Sequence, residues 1–348
     1  MIRSLSIWLC CFSCITAEVV TLVDPYSPVP EDKTVVWSPI FQATWEAMNS
    51  KLGGKPKRIE PPNEFMARLD RFKWKKQAVM PESGWGVWAG EATSSFLKQV
   101  NEEAKKIGGE KPFRLSEAEG PGTIACFGLL NRNVEFEKEF YRSSKLALKF
   151  GQKKESVKFF GAKHDVVEGY GTSVKVIASR PVTGSHVLEI SCKATDEKVI
   201  LYLPSEPQDF ATAIKWINFW RKNWKPGDTG KFDHGYLHEG DDVRIPYISL
   251  EAEADLSTIL QSKRFYGKPG DPWTVRRAEQ RTHFELFEKG ASIRAEVSIE
   301  IDPFSEAPRL VPRNFFYDRP FFVFLWRDNA AWPYFGAWMG DTSALQAF

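Results

Sequence analysis

Two histidines in the segment DHGYLHEGDD come closest, by their spacing, to a catalytic or metal-binding pattern. On a helix, the interval of four residues between His234 and His238 would turn both imidazoles toward one metal ion. Gly235 and Gly240 instead favour a loop, where this interval has no special meaning. A metal hydrolase built on the pair is therefore the weakest hypothesis, and we expect no metal.

Nucleophilic and phosphate-binding chemistry has no signature elsewhere in the sequence. No serine stands in a G-x-S-x-G elbow, and no cysteine has a histidine partner close by in the chain. No phosphate-binding glycine pattern opens a helix. We therefore do not expect an enzyme, and the sequence implies no cofactor.

Basic residues are concentrated between residues 55 and 76 and could bind a sulfated polysaccharide or another polyanion. A solvated surface is the commoner role of such a cluster. Over the whole chain, 47 Lys and Arg face 45 Asp and Glu, and this near balance argues against a nucleic-acid partner. The candidate polyanion-binding residues are Lys55, Lys57, Arg58, Lys73, Lys75 and Lys76.

Aromatic residues make up 14% of the chain and include 13 Trp, which indicates either a large core or an aromatic binding face. Trp216, Trp220 and Trp224 recur at the interval of one helix face, and this pattern predicts a stripe that faces the core. An exposed, sugar-stacking face on a carbohydrate-binding module is the alternative hypothesis.

The first residues of the chain, MIRSLSIWLCCFSCITA, predict a secretory signal peptide over residues 1–17. The full chain is 43% hydrophobic and 26% charged, as is usual for soluble globular proteins, and residues 18–348 are expected to form one large domain. We expect a secreted protein, extracellular or periplasmic. No apolar run is long enough to span a bilayer, so no membrane partner is expected. Cys126 and Cys192 stand in apolar runs, which favours two buried thiols over a disulfide.

The elements that must position any site form a mixed chain. Apolar spacing predicts helices at residues 41–52, 94–107 and 210–224. The run Thr123–Leu130 is almost continuously apolar and predicts a central strand with the 94–107 helix packed over its sheet. Because helices come early and strands crowd the second half, we expect an α+β fold. Further strands are expected at 187–190, 199–203, 243–250, 284–287 and 321–326.

The segment after Gly290 alternates strictly between apolar and polar residues. This pattern of period two is typical of a strand with one buried face. Prolines then follow at 303, 308 and 312, and they are unsuited to strand pairing. The apolar positions are Ala291, Ile293, Ala295, Val297, Ile299 and Ile301.

This order of a strand-forming stretch, a proline-rich loop and the apolar strand at 321–326 resembles the reactive-loop region of serpins. The segment EKGA at 288–291 resembles the serpin hinge, and DRPF at 318–321 with WMG at 338–340 resembles the C-terminal signature. Further matches occur in the family's order: VVWSPI at 35–40, VN at 100–101, Phe136, Phe140, the Leu-Pro at 203–204 and VRIPYI at 243–248.

The resemblance implies a serpin-like α+β fold with three β-sheets, surrounding helices and an exposed reactive-centre loop. It also implies a suicide-substrate inhibitor of a serine or cysteine peptidase, with a hinge formed by Glu288, Gly290, Ala291, Ser292, Ile293 and Ala295. Counted from Gly290, the reactive bond falls between Phe304 and Ser305, and the aromatic residue suits a chymotrypsin-like peptidase. Arg309 and Arg313 are trypsin-like alternatives. A non-inhibitory serpin-fold protein that binds a ligand, a polyanion or a partner protein is the alternative function.

Several positions depart from the serpin pattern. Gly128 stands where the family has a polar Asn, Gln280 replaces a His, and Phe41 and Arg132 replace a Ser and an aromatic residue. In serpins these positions form a polar latch over which the main sheet opens. The hinge itself carries the bulky or charged residues Ile293, Arg294 and Glu296, where serpins usually have small ones.

Overall fold

The structure is a computed structural model and describes residues 19–22, 24–115, 123–143, 145–162, 170–228, 233–238, 240–260, 263–266, 272–291 and 312–348. The expected signal peptide, residues 1–17, lies outside these ranges. Six helices are described: α1 (Ile40–Lys51), α2 (Glu64–Arg71), α3 (Lys76–Val79), α4 (Ser94–Lys106), α5 (Phe210–Lys222) and α6 (Ser257–Leu260).

The described strands, in chain order, are β1 (Val20–Leu22), β2 (Val35–Trp37), β3 (Arg58–Glu60), β4 (Trp85–Glu91), β5 (Thr123–Leu130), β6 (Val134–Glu135), β7 (Tyr141–Arg142), β8 (Leu148–Phe150), β9 (Glu155–Val157), β10 (Phe159–Ala162), β11 (Val174–Arg180), β12 (Ser185–Ser191), β13 (Glu197–Leu203), β14 (Gly227–Asp228), β15 (Asp233–Tyr236), β16 (Asp242–Pro246), β17 (Ile248–Asp255), β18 (Arg264–Tyr266), β19 (Pro272–Leu286), β20 (Gly290–Ala291), β21 (Asn314–Phe316), β22 (Phe321–Arg327) and β23 (Phe335–Met339).

These strands form three main sheets, as the resemblance implied. A nine-stranded sheet has the order β1-β2-β23-β22-β13-β12-β11-β15-β14, and a four-stranded sheet has the order β21-β16-β10-β7. The six-stranded sheet has the order β3-β18-β19-β5-β4, with β17 also paired to β19. Two short pairs, β20 with β6 and β8 with β9, are also described. The predicted α+β class is confirmed.

The first helix begins where the sequence stops favouring a strand. β2 is fully buried, and Ser38-Pro39 ends it because proline cannot donate a ladder hydrogen bond. The Ser38 hydroxyl accepts a hydrogen bond from the Ile40 amide at 3.2 Å and donates to the Tyr334 carbonyl at 2.8 Å. Helix α1 therefore starts in a fixed position against the nine-stranded sheet and runs beneath β4 and β5.

Strand β5 is the buried centre that the sequence predicted. β4 flanks it on one side and β19 on the other. Phe127 and Leu129 pack on the α4 side with Val100, whereas Cys126 packs on the α1 side with Trp45. Because both faces are covered, every position tolerates an apolar residue, which explains the unbroken apolar run. The predicted placement of the 94–107 helix over this sheet is confirmed.

Two predicted strands have different bounds in the structure. The expected strand at 284–287 is only the end of β19, which extends back to Pro272. The expected strand at 243–250 is two strands, β16 and β17, that belong to different sheets and separate at Tyr247. Pro246 ends β16 because it has no amide hydrogen to continue the pairing.

The tryptophan stripe was predicted to face the core, and this prediction is wrong for Trp216. Its side chain is 44% exposed, while Trp220 and Trp224 are half-buried at the margin of the core. Helix α5 buries Phe210, Ala213, Ile214 and Ile217 instead. The stripe lies beside the buried face of α5. The spacing of the three tryptophans predicts that they share one side of the helix, but it does not predict whether that side lies at the centre or at the edge of the packed surface.

The two described cysteines do not form a disulfide. Cys126 and Cys192 are free buried thiols, as the sequence favoured, and burial raises the pKa of each to about 12. Both are therefore poor nucleophiles.

Among the helices within the described ranges, none has the length and apolar character needed to cross a bilayer.

Candidate functional site

The pairing of β5 with β19, which we call the seam, is the one parallel pair among the described strands of the six-stranded sheet. It runs from Thr123 opposite Thr274 to Leu130 opposite Thr282. On its other edge β19 pairs antiparallel with β17 and β18. Parallel pairing is slightly less stable per residue than antiparallel pairing. A strand that ran antiparallel between β5 and β19 would replace one parallel pairing with two antiparallel ones.

Directly after β19 the chain reverses in a tight turn over residues 287–290, which we call the hinge turn. The Phe287 amide donates to the Gly290 carbonyl at 2.9 Å, and the Gly290 amide donates to the Phe287 carbonyl at 3.0 Å. Gly290 has φ +132°, and a β-carbon there would lie 2.1 Å from the Val134 carbonyl oxygen. Only glycine fits this position.

The hinge turn sends the chain back along the sheet. Gly290 and Ala291 form β20, which pairs antiparallel with Glu135 and Val134 of β6. The bridge between Phe287 and Gly290 is antiparallel as well. Gly290 therefore lies between Phe287 and Glu135 and pairs antiparallel with each. This is the orientation that a strand inserted in the seam would take.

Backbone hydrogen bonds hold the hinge turn on the segment after β6. The Phe136 amide donates to the Lys289 carbonyl at 2.7 Å, and the Phe140 amide donates to the Glu288 carbonyl at 2.8 Å. The ammonium group of Lys289 lies 3.9 Å from the Glu139 carboxylate. Every residue of the turn from 287 to 290 therefore has a fixed backbone partner.

An aromatic cluster supports this segment from below. The Phe140 ring stacks on Tyr170 at 5.0 Å and meets Phe136 edge-on at 5.3 Å. Tyr247 joins the cluster near Glu288, and burial together with the Glu288 carboxylate raises the pKa of the Tyr247 hydroxyl. The hydroxyl of Tyr247 is therefore neutral at physiological pH, so it places no second negative charge beside the Glu288 carboxylate.

Two of the four expected latch positions, Gly128 and Gln280, face each other across the seam. Gly128 of β5 lies in register with Gln280 of β19. A β-carbon on Gly128 would lie 2.8 Å from the Thr44 hydroxyl oxygen of α1, so the close approach of this helix explains the glycine. Gln280 donates to the Thr282 hydroxyl at 3.4 Å, but its buried Oε1 has no hydrogen-bond partner. Gln280 and Thr282 both lie on β19, so this weak hydrogen bond does not join the two strands of the seam.

The other departures from the serpin pattern are structural in this chain. Phe41 is buried in the apolar cluster beneath the sheet. Arg132 forms an ion pair of 2.6 Å with the buried Glu197, which also accepts a hydrogen bond from Tyr334 at 3.0 Å. This network ties the end of β5 to the nine-stranded sheet. His283 is half-exposed near Glu251 and Glu285.

A charged network on the α4 side of β19 escaped the sequence analysis. The fully buried Glu279 carboxylate lies 2.9 Å from Arg277 and 2.5 Å from Arg281. Burial raises the pKa of Glu279, against the lowering effect of both guanidinium groups. Arg277 also pairs with Asp255, and Arg281 with Glu253 of β17. The alternation of charges along β19 is the signal that could have revealed it.

Phe113, in the loop after α4, bridges the two strands of the seam. Its ring lies 4.8 Å from the Phe127 ring of β5, and the Arg281 guanidinium of β19 lies 4.6 Å above it. Arg281 also donates to the carbonyls of Lys111 and Pro112. Separation of β5 from β19 would break these contacts, so this loop stabilises the closed sheet.

The residues predicted for the hinge and the reactive bond divide into those that the structure describes and those that it does not. Glu288, Gly290 and Ala291 are brought together with β6 in the hinge turn. The remaining predicted residues of the hinge and the reactive bond, Ser292, Ile293, Ala295, Phe304 and Ser305, lie outside the described residues.

The predicted basic cluster includes residues with acidic partners. Lys55 lies 3.4 Å from Asp70, and Arg58 lies 3.2 Å from Glu60 and above the Tyr266 ring. Lys57, Lys73 and Lys75 are exposed, and Lys76 begins α3 at the margin of an open depression that Glu46 and Trp74 also line. Acidic groups therefore interrupt the cationic surface that the sequence pattern indicated.

The two histidines of the DHGYLHEGDD segment have different surroundings in the structure. His234 lies in β15, beside the Ile177 carbonyl, and His238 lies 3.5 Å from the Asp241 carboxylate. Gly235 lies in a strand and not in the loop that the sequence favoured. Residues 233–236 therefore do not form the helix that would turn both imidazoles toward one metal ion. No group of three or more His, Cys, Asp or Glu in the described ranges is arranged to hold a metal ion.

Comparison with known proteins defines the class of this fold. No protein-family model and no curated protein sequence matches the chain. The structure is similar to human thyroxine-binding globulin in complex with thyroxine, with a TM-score of 0.56 and 13% identity over 89% of this chain and 92% of that chain. It is similar to human glycosylated kallistatin, with a TM-score of 0.56 and 12% identity over 90% of this chain and 92% of that chain.

Both of these proteins have the serpin fold. This chain therefore has the serpin fold, and the resemblance found in its motifs is confirmed at the level of the fold. In this fold the seam lies between the two central strands of the six-stranded sheet.

Proposed function

We propose that this serpin-fold protein is a secreted peptidase inhibitor that acts as a suicide substrate. The observation that carries the proposal is the direction of the chain at Gly290 and Ala291. These residues already run antiparallel to β6, and the bridge from Gly290 to Phe287 is antiparallel to the end of β19. A reactive loop attached there can extend β20 into the seam without a change of direction at the hinge.

The proposed reaction begins as ordinary proteolysis. The peptidase nucleophile attacks the carbonyl carbon of Phe304, the bond to the Ser305 nitrogen breaks, and Ser305 leaves as a new amino terminus. The Phe304 carbonyl remains bound to the peptidase as an acyl-enzyme. The freed strand then inserts in the seam and carries the peptidase with it. Insertion must outrun hydrolysis of the acyl-enzyme, so the rate of insertion decides between inhibition and simple cleavage.

The choice of reactive bond is narrowed by the contacts of Arg313. Its guanidinium donates to the fully buried Asp241 carboxylate at 3.1 and 2.7 Å and to the Tyr236 carbonyl at 2.8 Å. A peptidase that recognised Arg313 would have to break this buried ion pair, at a cost on the order of 3–5 kcal/mol. Phe304 therefore stays the proposed recognition residue, with Arg309 as the remaining alternative.

Secretion is part of the proposal and rests on residues 1–17. Arg3, the apolar run that follows and the small residues Thr16 and Ala17 form the three parts of a signal peptide. Amino-terminal sequencing of the secreted protein tests this. A start at Glu18 supports the proposal, and a start at Met1 in material found only inside cells contradicts it.

A non-inhibitory, ligand-binding protein is the second candidate function. Bulky and charged residues at 293, 294 and 296 would slow insertion, and the weak latch at Gln280 departs from the polar cluster that serpins use. The similarity to thyroxine-binding globulin in complex with thyroxine shows that this fold can hold a small ligand. Under this hypothesis the loop is cut like any exposed segment, with no trapped peptidase.

Incubation with a chymotrypsin-like peptidase, followed by denaturing electrophoresis, separates the two candidates. The inhibitor hypothesis predicts a covalent complex with the mass of the peptidase plus the chain up to Phe304. The matched control is the same peptidase with its catalytic serine replaced by alanine, which can form no acyl bond. Complete cleavage at Phe304 without any covalent complex would favour the ligand-binding hypothesis.

A further inference from the structure

The outward face of α5 is an exposed patch of aromatic and basic residues, and neither the fold nor the proposed inhibition uses it. Trp216 is 44% exposed and Phe219 is 55% exposed. Trp216 stacks on Trp220 at 5.8 Å and meets Phe219 edge-on at 6.1 Å. We define the outer face by the positions that share this side of the helix: Thr212, Lys215, Trp216, Phe219, Lys222 and Asn223.

The charged residues that α5 itself contributes to this face are all lysines. Lys215 and Lys222 are exposed on either side of Phe219, and Lys225 is exposed just beyond the helix. The sequence from 210 to 227 contains no Asp or Glu. Arg221 is the other cation of the helix, and it points to the opposite side, where it pairs with Glu189 at 2.6 Å and Asp328 at 3.3 Å. The lysines of the outer face therefore have no acidic neighbour on their own helix.

The body of the protein holds this face in a fixed orientation. Phe210, Ala213, Ile214 and Ile217 bury the inner side of α5. Asp209 caps the helix by accepting a hydrogen bond from the Thr212 amide at 2.7 Å, and Asn218 donates to the Ala331 carbonyl at 3.0 Å. Exposure of Trp216 and Phe219 is therefore a property of the packed helix and not of a frayed end.

We propose that the outer face of α5 attaches this protein peripherally to an anionic lipid surface. An exposed Trp and Phe flanked by Lys on a helix that lies along the surface is the arrangement that suits the boundary between headgroups and acyl chains. The aromatic rings enter that boundary, and the lysines bind the negative headgroups. The absence of a spanning segment, which predicted no membrane partner from the sequence, does not exclude this, because peripheral attachment needs no span.

The same observations disfavour two other occupants. A sulfated polysaccharide would use the lysines but would gain little from Phe219 at the centre of the patch. A second copy of this chain would bring Lys215 and Lys222 against the same lysines, because a two-fold dimer pairs the same face with itself. The combination of central aromatic residues with flanking lysines favours lipid.

Flotation of the secreted protein with vesicles tests the proposal. We expect it to float with phosphatidylcholine vesicles that contain phosphatidylserine, much less with phosphatidylcholine alone, and less as salt is raised. Replacement of Lys215 and Lys222 by Gln should weaken binding about fivefold per lysine. Replacement of Trp216 and Phe219 by Ser should abolish flotation. Circular dichroism and thermal unfolding establish that each variant is folded.

Matched controls lie elsewhere on the surface. Val182→Ser removes another exposed apolar side chain, and Lys98→Gln with Lys105→Gln removes another pair of exposed cations, spaced seven residues apart on α4. Neither control should change flotation. The proposal is overturned if the parent does not float with anionic vesicles, or if W216S/F219S floats as well as the parent. It is also overturned if dextran sulfate binding depends on the lysines while vesicles do not bind, or if the outer-face variants only abolish a dimer.

Discussion

Gly290 lies so close to Val134 that a β-carbon on Gly290 would sit 2.1 Å from the Val134 carbonyl oxygen. The contact exists because the chain reverses at the hinge turn and comes back against β6. The geometry of this one glycine therefore sets the direction in which the chain leaves the hinge turn at Ala291.

The first prediction tests this contact with Gly290→Ala. The new methyl group must push β20 away from β6, and the backbone at φ +132° is strained for any side chain. We expect a loss of about 2–4 kcal/mol in the free energy of unfolding, or else an unpaired hinge, and in both cases loss of the covalent peptidase complex. Gly151→Ala is the matched control, because Gly151 also has positive φ, at +66°, but open space around it. Equal behaviour of the two variants would contradict the role of the hinge contact.

The second prediction concerns the inserted strand itself. In the proposed inserted form, Ile293 faces inward, so Ile293→Asp would bury an unpaired carboxylate. We expect this variant to be cut at the same rate as the parent but to gain no thermal stability when cut. Arg294→Ser is the control, since the alternation places residue 294 on the other side of the strand. If the cut Asp variant becomes as stable as the cut parent, this segment does not insert.

The third prediction concerns the latch. Because Oε1 of Gln280 is buried without a partner, Gln280→Met should raise the free energy of unfolding of the uncut protein by about 1 kcal/mol. The tighter seam should also slow insertion and shift the outcome from covalent complex toward simple cleavage. Gln99→Met, on the exposed side of α4, makes the same chemical change away from the seam and should alter neither quantity. A destabilised Gln280→Met protein would show that the glutamine makes a favourable contact.

The fourth prediction is a dependence of stability on pH that arises from His186. Burial lowers the pKa of this side chain from 6.5 to about 3, because the folded protein disfavours the charged imidazole. The unfolded chain takes up the proton first, so the stability present above pH 6.5 is lost as the pH falls toward 3. Denaturant unfolding at pH 7 and pH 5 should differ by about 2 kcal/mol from this group alone. His186→Gln should remove most of that difference, whereas His283→Gln at a half-exposed position should retain it.

The sequence predicted the parts of the fold that have a simple periodicity. Thr123–Leu130 is almost uniformly apolar because both of its faces are covered, so its place at the centre of a sheet could be inferred without any partner. Helix α4 likewise has one apolar stripe and one packing surface. The motifs at residues 35–40 and 288–291 then supplied the order of elements, which periodicity alone does not give.

Buried ion pairs and the direction of the chain at the hinge turn could not be predicted from the sequence. Most of β19 was missed because Arg277, Glu279 and Arg281 neutralise one another in a buried row, and a row of charges normally indicates a solvated surface. The exposure of Trp216 depends on where α5 sits against its sheet, which is a tertiary property. The reversal at Gly290 depends on a contact with Val134, far away in the sequence, that no local pattern records.

Thermal unfolding of the protein before and after a single cut in the reactive loop tests the central claim most directly. A chymotrypsin-like peptidase makes the cut, mass spectrometry confirms the new amino terminus at Ser305, and the melting temperature of both forms is measured by calorimetry. The account predicts a melting temperature well above that of the uncut protein, because one parallel pairing is replaced by two antiparallel ones. An unchanged or lower melting temperature after a complete cut would contradict insertion and with it the proposed inhibition.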